Sequence, residues 1–393
     1  MRYVLRGSAA IVVVLAAIPW WVTPAAHAAA RSPQTQQAGA AHGLQQLLSP
    51  RIPGVAEAGG KLYLNGTQHF FSGINAYSAT TDWSVNWGCG TMLADLNTLF
   101  DAVPAGSLVR TWAFQALGFN KLTHTTDFSA IDRVVAAAKA HHDYLVFALS
   151  DQAGTCDDGH FHNAAWYAGG YNRTYDDNGR GYATTMSYLK WVKTVVTRYK
   201  GNHTVAIYEP VNEPEASNCN AGLTGSACFG HNTCPSNATS VLRSFFDTVG
   251  RAIKTISPSA LVSTGVIGGT QCGIAGTGFR TVSASKYVDI TTFHDYTAAQ
   301  PAMPSTLLAR IRQAAGLTKS FLVDEAGINA TTSGSGCASL ANRAAAFVAK
   351  AKAAHNVGAD GYVPWNFAPT PSATCSYDIA PGDPMLAGLT TAG

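Results

Sequence analysis

The chain contains only five glutamates: Glu57, Glu209, Glu213, Glu215 and Glu325. Two of them close short apolar runs. Glu213 lies at the end of Val205-Ala-Ile-Tyr-Glu-Pro-Val-Asn-Glu-Pro214, and Glu325 follows Phe321-Leu-Val-Asp324. If both runs are parallel strands of one barrel, their C-terminal ends share a mouth and the two carboxyls face one cleft. Such a pair can divide the work of cleaving a glycosidic bond. One stays protonated and donates to the leaving oxygen, while the other stays ionised and attacks the anomeric carbon. Glu209 lies four residues before Glu213, so a regular strand places it on the same face but deeper, in a buried, hydrogen-bonded role. Glu215 falls on the following loop, where it touches substrate or nothing. Glu57 has no visible role.

A barrel needs the elements to build it. Eight short runs, mostly β-branched or aromatic, read as strands covered on both faces: Phe70–Ile74, Leu108–Trp112, Tyr144–Leu149, Val205–Val211, Leu261–Val266, Val288–Phe293, Phe321–Val323 and Gly361–Trp365. Helical stripes fall between them. Ile131, Val134, Val135 and Ala138 share one face; Leu242, Phe245, Phe246, Val249, Ile253 and Ile256 share another; Leu307, Leu308 and Ile311 form a third. Eight alternating units predict an α/β fold, a single-domain (β/α)8 TIM barrel over residues 55–393. After the last strand only Pro384 to Leu389 offers a closing helix.

The ordered motifs resemble clan A glycoside hydrolases, and more narrowly glycoside hydrolase family 5. Asn212-Glu213-Pro214 stands on the fourth strand and a glutamate closes the seventh. Phe71-Ser-Gly-Ile-Asn75-Ala-Tyr77 looks like the family's first strand. Val109-Arg110-Thr111-Trp112-Ala113-Phe114 looks like its second, in the form of the endo-β-1,4-mannanase branch. His294-Asp-Tyr296 matches the His-x-Tyr of the sixth strand, and Trp365 the eighth-strand tryptophan. The resemblance implies a retaining, two-glutamate mechanism with Glu213 as acid/base and Glu325 as nucleophile. It implies that Asn212 binds the sugar 2-hydroxyl, that Arg110 holds the nucleophile ionised, and that Tyr296 donates to Glu325. His294 would line the same subsite, and Trp365 would stack on a pyranose. Trp112 joins this substrate-binding set. Trp83, Trp87, Trp112, Trp166 and Tyr171 could supply outer sugar platforms or simply pack. The run Tyr208-Glu-Pro-Val-Asn-Glu-Pro departs from the fuller Trp-Glu-Leu-x-Asn-Glu-Pro of the mannanase branch, and Pro210 removes a ladder donor. The implied activity is an endo-β-1,4-mannanase. The alternatives are the same mechanism on cellulose, another β-glucan or a cell-envelope galactan or arabinan, or a non-catalytic polysaccharide-binding barrel.

The ends and the cysteines speak to location. Arg2 and Arg6 precede the apolar Ala9–Trp21, and Ala26-His27-Ala28 has cleavage-site spacing, so residues 1–28 read as a secretory signal and the protein as secreted. The apolar run is shorter than the roughly 20 residues a membrane span needs. Residues 29–54, rich in Ala, Gln, Ser and Pro, read as a flexible lead-in. Eight cysteines in an exported chain suggest four disulfides. Cys337 is expected to pair with Cys375. Cys219, Cys228 and Cys234 are an odd local group, so one of them should reach another loop.

Composition excludes several classes. Only 12% of residues are charged, about half the usual share. Without Arg2 and Arg6 the balance is 24 basic against 23 acidic residues, and no basic run exists, so neither nucleic acid nor an anionic membrane is an expected partner. No HExxH, GxSxG, GxGxxG or P-loop is present, and neither His141-His142 nor His160-x-His162 has helical zinc spacing, so no metal or other cofactor is expected. The expected partner is a polysaccharide substrate, met by a monomer.

Overall fold

The computed structural model describes residues 53–174 and 186–391. The expected leader and all but the last two residues of the lead-in lie outside the described residues. Eight strands form one parallel sheet: β1 (Phe71–Asn75), β2 (Leu108–Trp112), β3 (Tyr144–Ala148), β4 (Val205–Glu209), β5 (Leu261–Val262), β6 (Ile290–Asp295), β7 (Ser320–Ala326) and β8 (Gly361–Pro364). Each is followed by a helix: α1 (Asn97–Phe100), α2 (Ser129–Ala140), α3 (Tyr188–Arg198), α4 (Ala238–Ile256), α5 (Gly278–Ser283), α6 (Ser305–Ala315), α7 (Leu340–Asn356) and α8 (Pro384–Leu389). Sheet order runs β5-β4-β3-β2-β1-β8-β7-β6. The parallel bridge of Ser263 with Ile290 and the bond from Thr264 N to Ile290 O (3.1 Å) join β5 to β6 and close the barrel.

All eight expected strands are present, with ends moved for local reasons. β4 stops at Glu209 because Pro210 cannot donate to the ladder. β5 keeps two residues because Gly265, at φ +63, turns the chain out of the extended region. β7 runs three residues further than expected, so Glu325 lies within the strand rather than just beyond it.

The apolar stripes seat as their period requires. Leu242, Phe245, Phe246, Val249 and Ile253 of α4 and Ile131, Val134, Val135 and Ala138 of α2 are buried in one shell between strands and helices. A second core fills the barrel's lower interior, with Phe71, Leu108, Val146, Ile207, Leu261, Ile290, Leu322 and Val363 each contributed by a different strand. An antiparallel meander (Val55–Ala58, Lys61–Leu64, Thr67–Gln68) that the sequence reading does not anticipate lies beneath it and inserts Leu62, fully buried, as a plug. Gly73 on β1 is dictated by close approach: a Cβ there would lie 1.8 Å from the Leu108 carbonyl oxygen.

Four disulfides staple the loops. Cys337 pairs with Cys375 as expected, and Cys234 is the member of the local trio that reaches out, to Cys272, leaving Cys219 with Cys228. The fourth joins Cys89 to Cys156.

Candidate active site

Arg110, on β2, is fully buried at the centre of the mouth. All of its guanidinium hydrogens are used. Nε and Nη2 fork onto Glu209 (3.2 and 2.5 Å), Nη2 also donates to Asn212 Oδ1 (2.7 Å), and Nη1 donates to Asn75 Oδ1 (2.9 Å) and Glu325 Oε1 (2.5 Å). Glu209 is fully buried, the structural role its position below Glu213 suggests. Burial pushes its carboxyl up while Arg110 pulls it down. Asn75 anchors the other end, donating from Nδ2 to the carbonyls of Asp324 (2.8 Å), Val363 and Pro364. One arginine and one asparagine thus tie the ends of β1, β2, β4, β7 and β8.

The segment after β4 presents Asn212 and Glu213. Pro210 ends the ladder, and Asn212 rejoins it through its N–H to Ser150 O (2.8 Å). Glu213 sits at φ +57, a left-handed conformation costly for a residue with a Cβ. Its N–H is held by Gly265 O (2.8 Å). Any side chain at Gly265 would meet Val211 O at 2.4 Å and Glu209 Cγ at 2.6 Å, so glycine there permits the turn that aims Glu213 into the mouth. Asn212 is oriented from both sides: Oδ1 accepts from Arg110, and Nδ2 donates to Asp151 Oδ1 (3.0 Å).

β6 and β7 supply the remainder. Register slips between Thr292 and His294 and between Val323 and Ala326 re-aim the strand ends, as bulges near catalytic mouths do. Consecutive Asp324 and Glu325 are both buried near His294 as a result. Tyr296 donates its hydroxyl to Glu325 Oε2 (2.8 Å). His294 Nδ1 bonds Glu213 Oε1 (2.8 Å) and lies 3.3 Å from Glu325 Oε2, and Nε2 lies 3.4 Å from Asp324 Oδ1. Burial opposes charge on this imidazole, but Glu325, Asp324 and Glu213 outweigh it and hold its pKa well above the ordinary value. Burial is also the largest influence on Glu325. His294 and Arg110 pull its pKa down, yet the net direction is up, so Arg110 counters the cost of burial rather than lowering the carboxyl outright. A carboxylate oxygen of each glutamate and a ring nitrogen of His294 lie within 4.8 Å of one another.

A cleft of about 540 Å³ opens over this group, and its lining includes Trp112, Asn212, Glu213, Tyr296, Glu325 and Trp365. Trp365 stacks with Tyr77 (5.3 Å, 12° between planes), and Trp112 packs beside both while carrying the Arg110 guanidinium over its ring (4.8 Å). The other proposed outer platforms lie elsewhere. Trp166 and Tyr171 are buried against Phe245 of α4, with the His162 ring on Trp166 at 3.8 Å, so they are core. Trp83 is exposed, and neither it nor Trp87 lines the cleft. Glu215 is buried and accepts from Ser217, Asn232 and the Cys272 N–H, so it fastens the loop after β4.

Two supports were missed in the sequence. Asp151 lines the cleft, fixes Asn212, and accepts from the Ala153 and Thr155 N–H groups through Oδ2 (3.1 Å each). Burial pushes its carboxyl up to about 6. Its signal was available, as it lies two residues past the third apolar run, near the kind of strand-end position that singles out Glu213. The second is Lys350 of α7, fully buried with Asp295 (3.0 Å), which also accepts from Tyr362 (2.7 Å). This pair sits behind β6 and fixes the segment carrying His294 and Tyr296. Its sequence separation hides it.

Comparison with known proteins places this geometry in a family. The model for cellulase (glycosyl hydrolase family 5) matches residues 109–363, from β2 to β8. The chain belongs to glycosyl hydrolase family 5. Within curated proteins, it is 32% identical over 209 residues to mannan endo-1,4-beta-mannosidase 4 of rice (Oryza sativa subsp. japonica), covering 46% of this chain and 43% of that protein. It is 27% identical over 273 residues to the probable mannan endo-1,4-beta-mannosidase C of Aspergillus terreus, covering 62% and 64%. The chain therefore spans about half the length of the curated relatives it matches. Among solved structures, an endo-1,4-beta-mannanase from Rhizomucor miehei superposes with a TM-score of 0.62 at 20% identity over 86% of this chain and 97% of that one, which supports the shared barrel fold.

Proposed function

We propose that this family 5 member is a secreted, retaining glycoside hydrolase that cuts the main chain of β-1,4-mannan. The observation that carries this reading is the juxtaposition of Glu213, His294 and Glu325 within 4.8 Å at the mouth of the barrel. Glu325 attacks the anomeric carbon while the bond to the leaving oxygen breaks, and Glu213 passes its proton to that oxygen. The result is a glycosyl ester on Glu325. Glu213, now a carboxylate, takes a proton from water as the water oxygen bonds to the anomeric carbon and expels Glu325. Two inversions give net retention, and close carboxyls favour this course, because an inverting pair stands about 6.5–9.5 Å apart to admit the water. Arg110 and Tyr296 hold Glu325, Asn212 meets the 2-hydroxyl, and Trp365 offers its face to the ring.

Mannan as the sugar is supported by the names of both curated relatives. A second reading, β-1,4-glucan, has its own support in the cellulase description of the family model. We propose the organisation read from the sequence: leader 1–28, lead-in 29–54 and one catalytic barrel, 55–393, working as a monomer. The four disulfides favour an oxidising destination. Proton NMR during hydrolysis of glucomannan, galactomannan, cellulose and arabinogalactan tests the reaction and the sugar together. The expected first product is the β-anomer from the mannans. An α-anomer would refute the double displacement, and cleavage confined to cellulose would replace mannan by glucan.

A further inference from the structure

We propose that Phe229 is a stacking platform for the leaving-group sugar, on a hairpin built to hold it rigid. Resting on the glycosidase reading, this assigns a leaving-group subsite to the loop after β4. Among the described residues few large apolar side chains are exposed, and only Phe229 (40%) and Tyr296 (38%) of these line the cleft. Tyr296 has a partner in Glu325; Phe229 offers only a ring, which meets Phe161 edge-on at 5.9 Å. Exposing an aromatic on a rigid loop forgoes the free energy of burying it, a cost recovered when a ligand covers it.

The support is a clamped hairpin. Asn218–Cys219 pairs antiparallel with Asn232–Thr233, the Cys219–Cys228 disulfide closes the loop directly before Phe229, and Cys234–Cys272 ties its exit to the segment after β5. Buried Glu215 accepts hydrogen bonds at its base. A Cβ added to Gly225 would come 3.7 Å from the Ala153 carbonyl oxygen, so the hairpin rests on the segment after β3. Position sets the occupant. Glu325 and Trp365 hold the sugar that is attacked, whereas Glu213 faces the oxygen that leaves. The hairpin continues the loop that presents Glu213, and Phe229 lines the same cleft as Glu213, so its ring is assigned to the departing sugar. An apolar ring face matches the C–H face of a pyranose.

The test is a ratio. Mannohexaose fills the leaving-group side with sugar; β-mannobiosyl fluoride departs as fluoride and does not. In Phe229→Ala the kcat/KM for mannohexaose relative to that for the fluoride should fall about tenfold, mostly through KM, and Phe229→Trp should restore it. A ratio that stays at the wild-type value while the enzyme is active, or equal losses on both substrates, overturns the platform. Wild-type protein inert toward both overturns the mannosidase reading, and this inference with it.

Discussion

At the barrel floor, eight strands contribute apolar side chains around one inserted leucine, Leu62. Two to four residues further along the same strands, Arg110, Glu209, Asp324, Glu325 and His294 are buried together. The floor has a hollow of its own, about 570 Å³, lined by Lys61 and Asp360 among others. Those two simply pair with each other at 3.4 Å. Volume alone therefore does not distinguish the ends. At the mouth, each charge is held by partners on other strands, and two carboxylates are left facing one space. The floor gains free energy from burial. The mouth gives some of it up to keep charges in place.

The largest effect should come from the charge proposed to react. Glu325→Gln preserves shape and one acceptor oxygen, for Arg110 or for Tyr296, but cannot attack carbon. Turnover on mannan should fall by at least about 10⁴-fold, with the thermal midpoint nearly unchanged and oligosaccharide still bound in a calorimeter. Turnover near the wild-type rate would remove Glu325 from the mechanism and, with it, the distinction between the two ends.

A matched pair of variants sharpens the contrast. Arg110→Met leaves Glu209 buried without its cation, which should cost about 3–5 kcal/mol in urea denaturation and abolish activity. Adding Glu209→Met to it should recover most of the stability and none of the activity. Leu62→Ala should cost about 2–5 kcal/mol through the cavity it opens while kcat/KM holds wherever the protein stays folded. If kcat/KM falls along with stability in Leu62→Ala, the two ends are mechanically coupled and the comparison fails.

The sequence exposed the parts of this design that follow a local rule. Short, continuously apolar runs located all eight strands, and strand-end position located both glutamates. Side-chain spacing put Glu209 beneath Glu213. What escaped depends on contacts between distant segments. The Leu62 plug needs the meander folded under a barrel that starts later in the chain. Lys350 meets Asp295 across 55 positions. Trp166 and Tyr171 could be read as sugar platforms or as packing because an aromatic's chemistry is the same in a core and in a cleft; only packing against Phe245 decides it. Phe229 went unremarked for the converse reason, since a lone loop phenylalanine acquires meaning only from the cleft it lines.

The smallest effect expected, and the finest test of the mouth, concerns Asp151. Its carboxylate directs the Asn212 amide, leaving the second Nδ2 hydrogen for the proposed bond to the sugar, and its other oxygen accepts two backbone N–H groups. In Asp151→Asn one side-chain position becomes a donor, so either Asn212 or the Ala153 and Thr155 amides lose an acceptor. A slight misplacement of Asn212 should lower kcat on mannan on the order of tenfold. The pH dependence gives the independent readout. The folded-state pKa lies above the unfolded one, up from 3.8 to about 6, so the native state binds the proton more tightly. The stability of the wild type relative to Asp151→Asn should therefore decline as pH rises from 3.8 to about 6 and stay level beyond. A difference that is flat across that window would mean that burial does not raise the Asp151 carboxyl, because its hydrogen-bond donors offset the cost; an unchanged kcat in Asp151→Asn would mean that Arg110 alone orients Asn212.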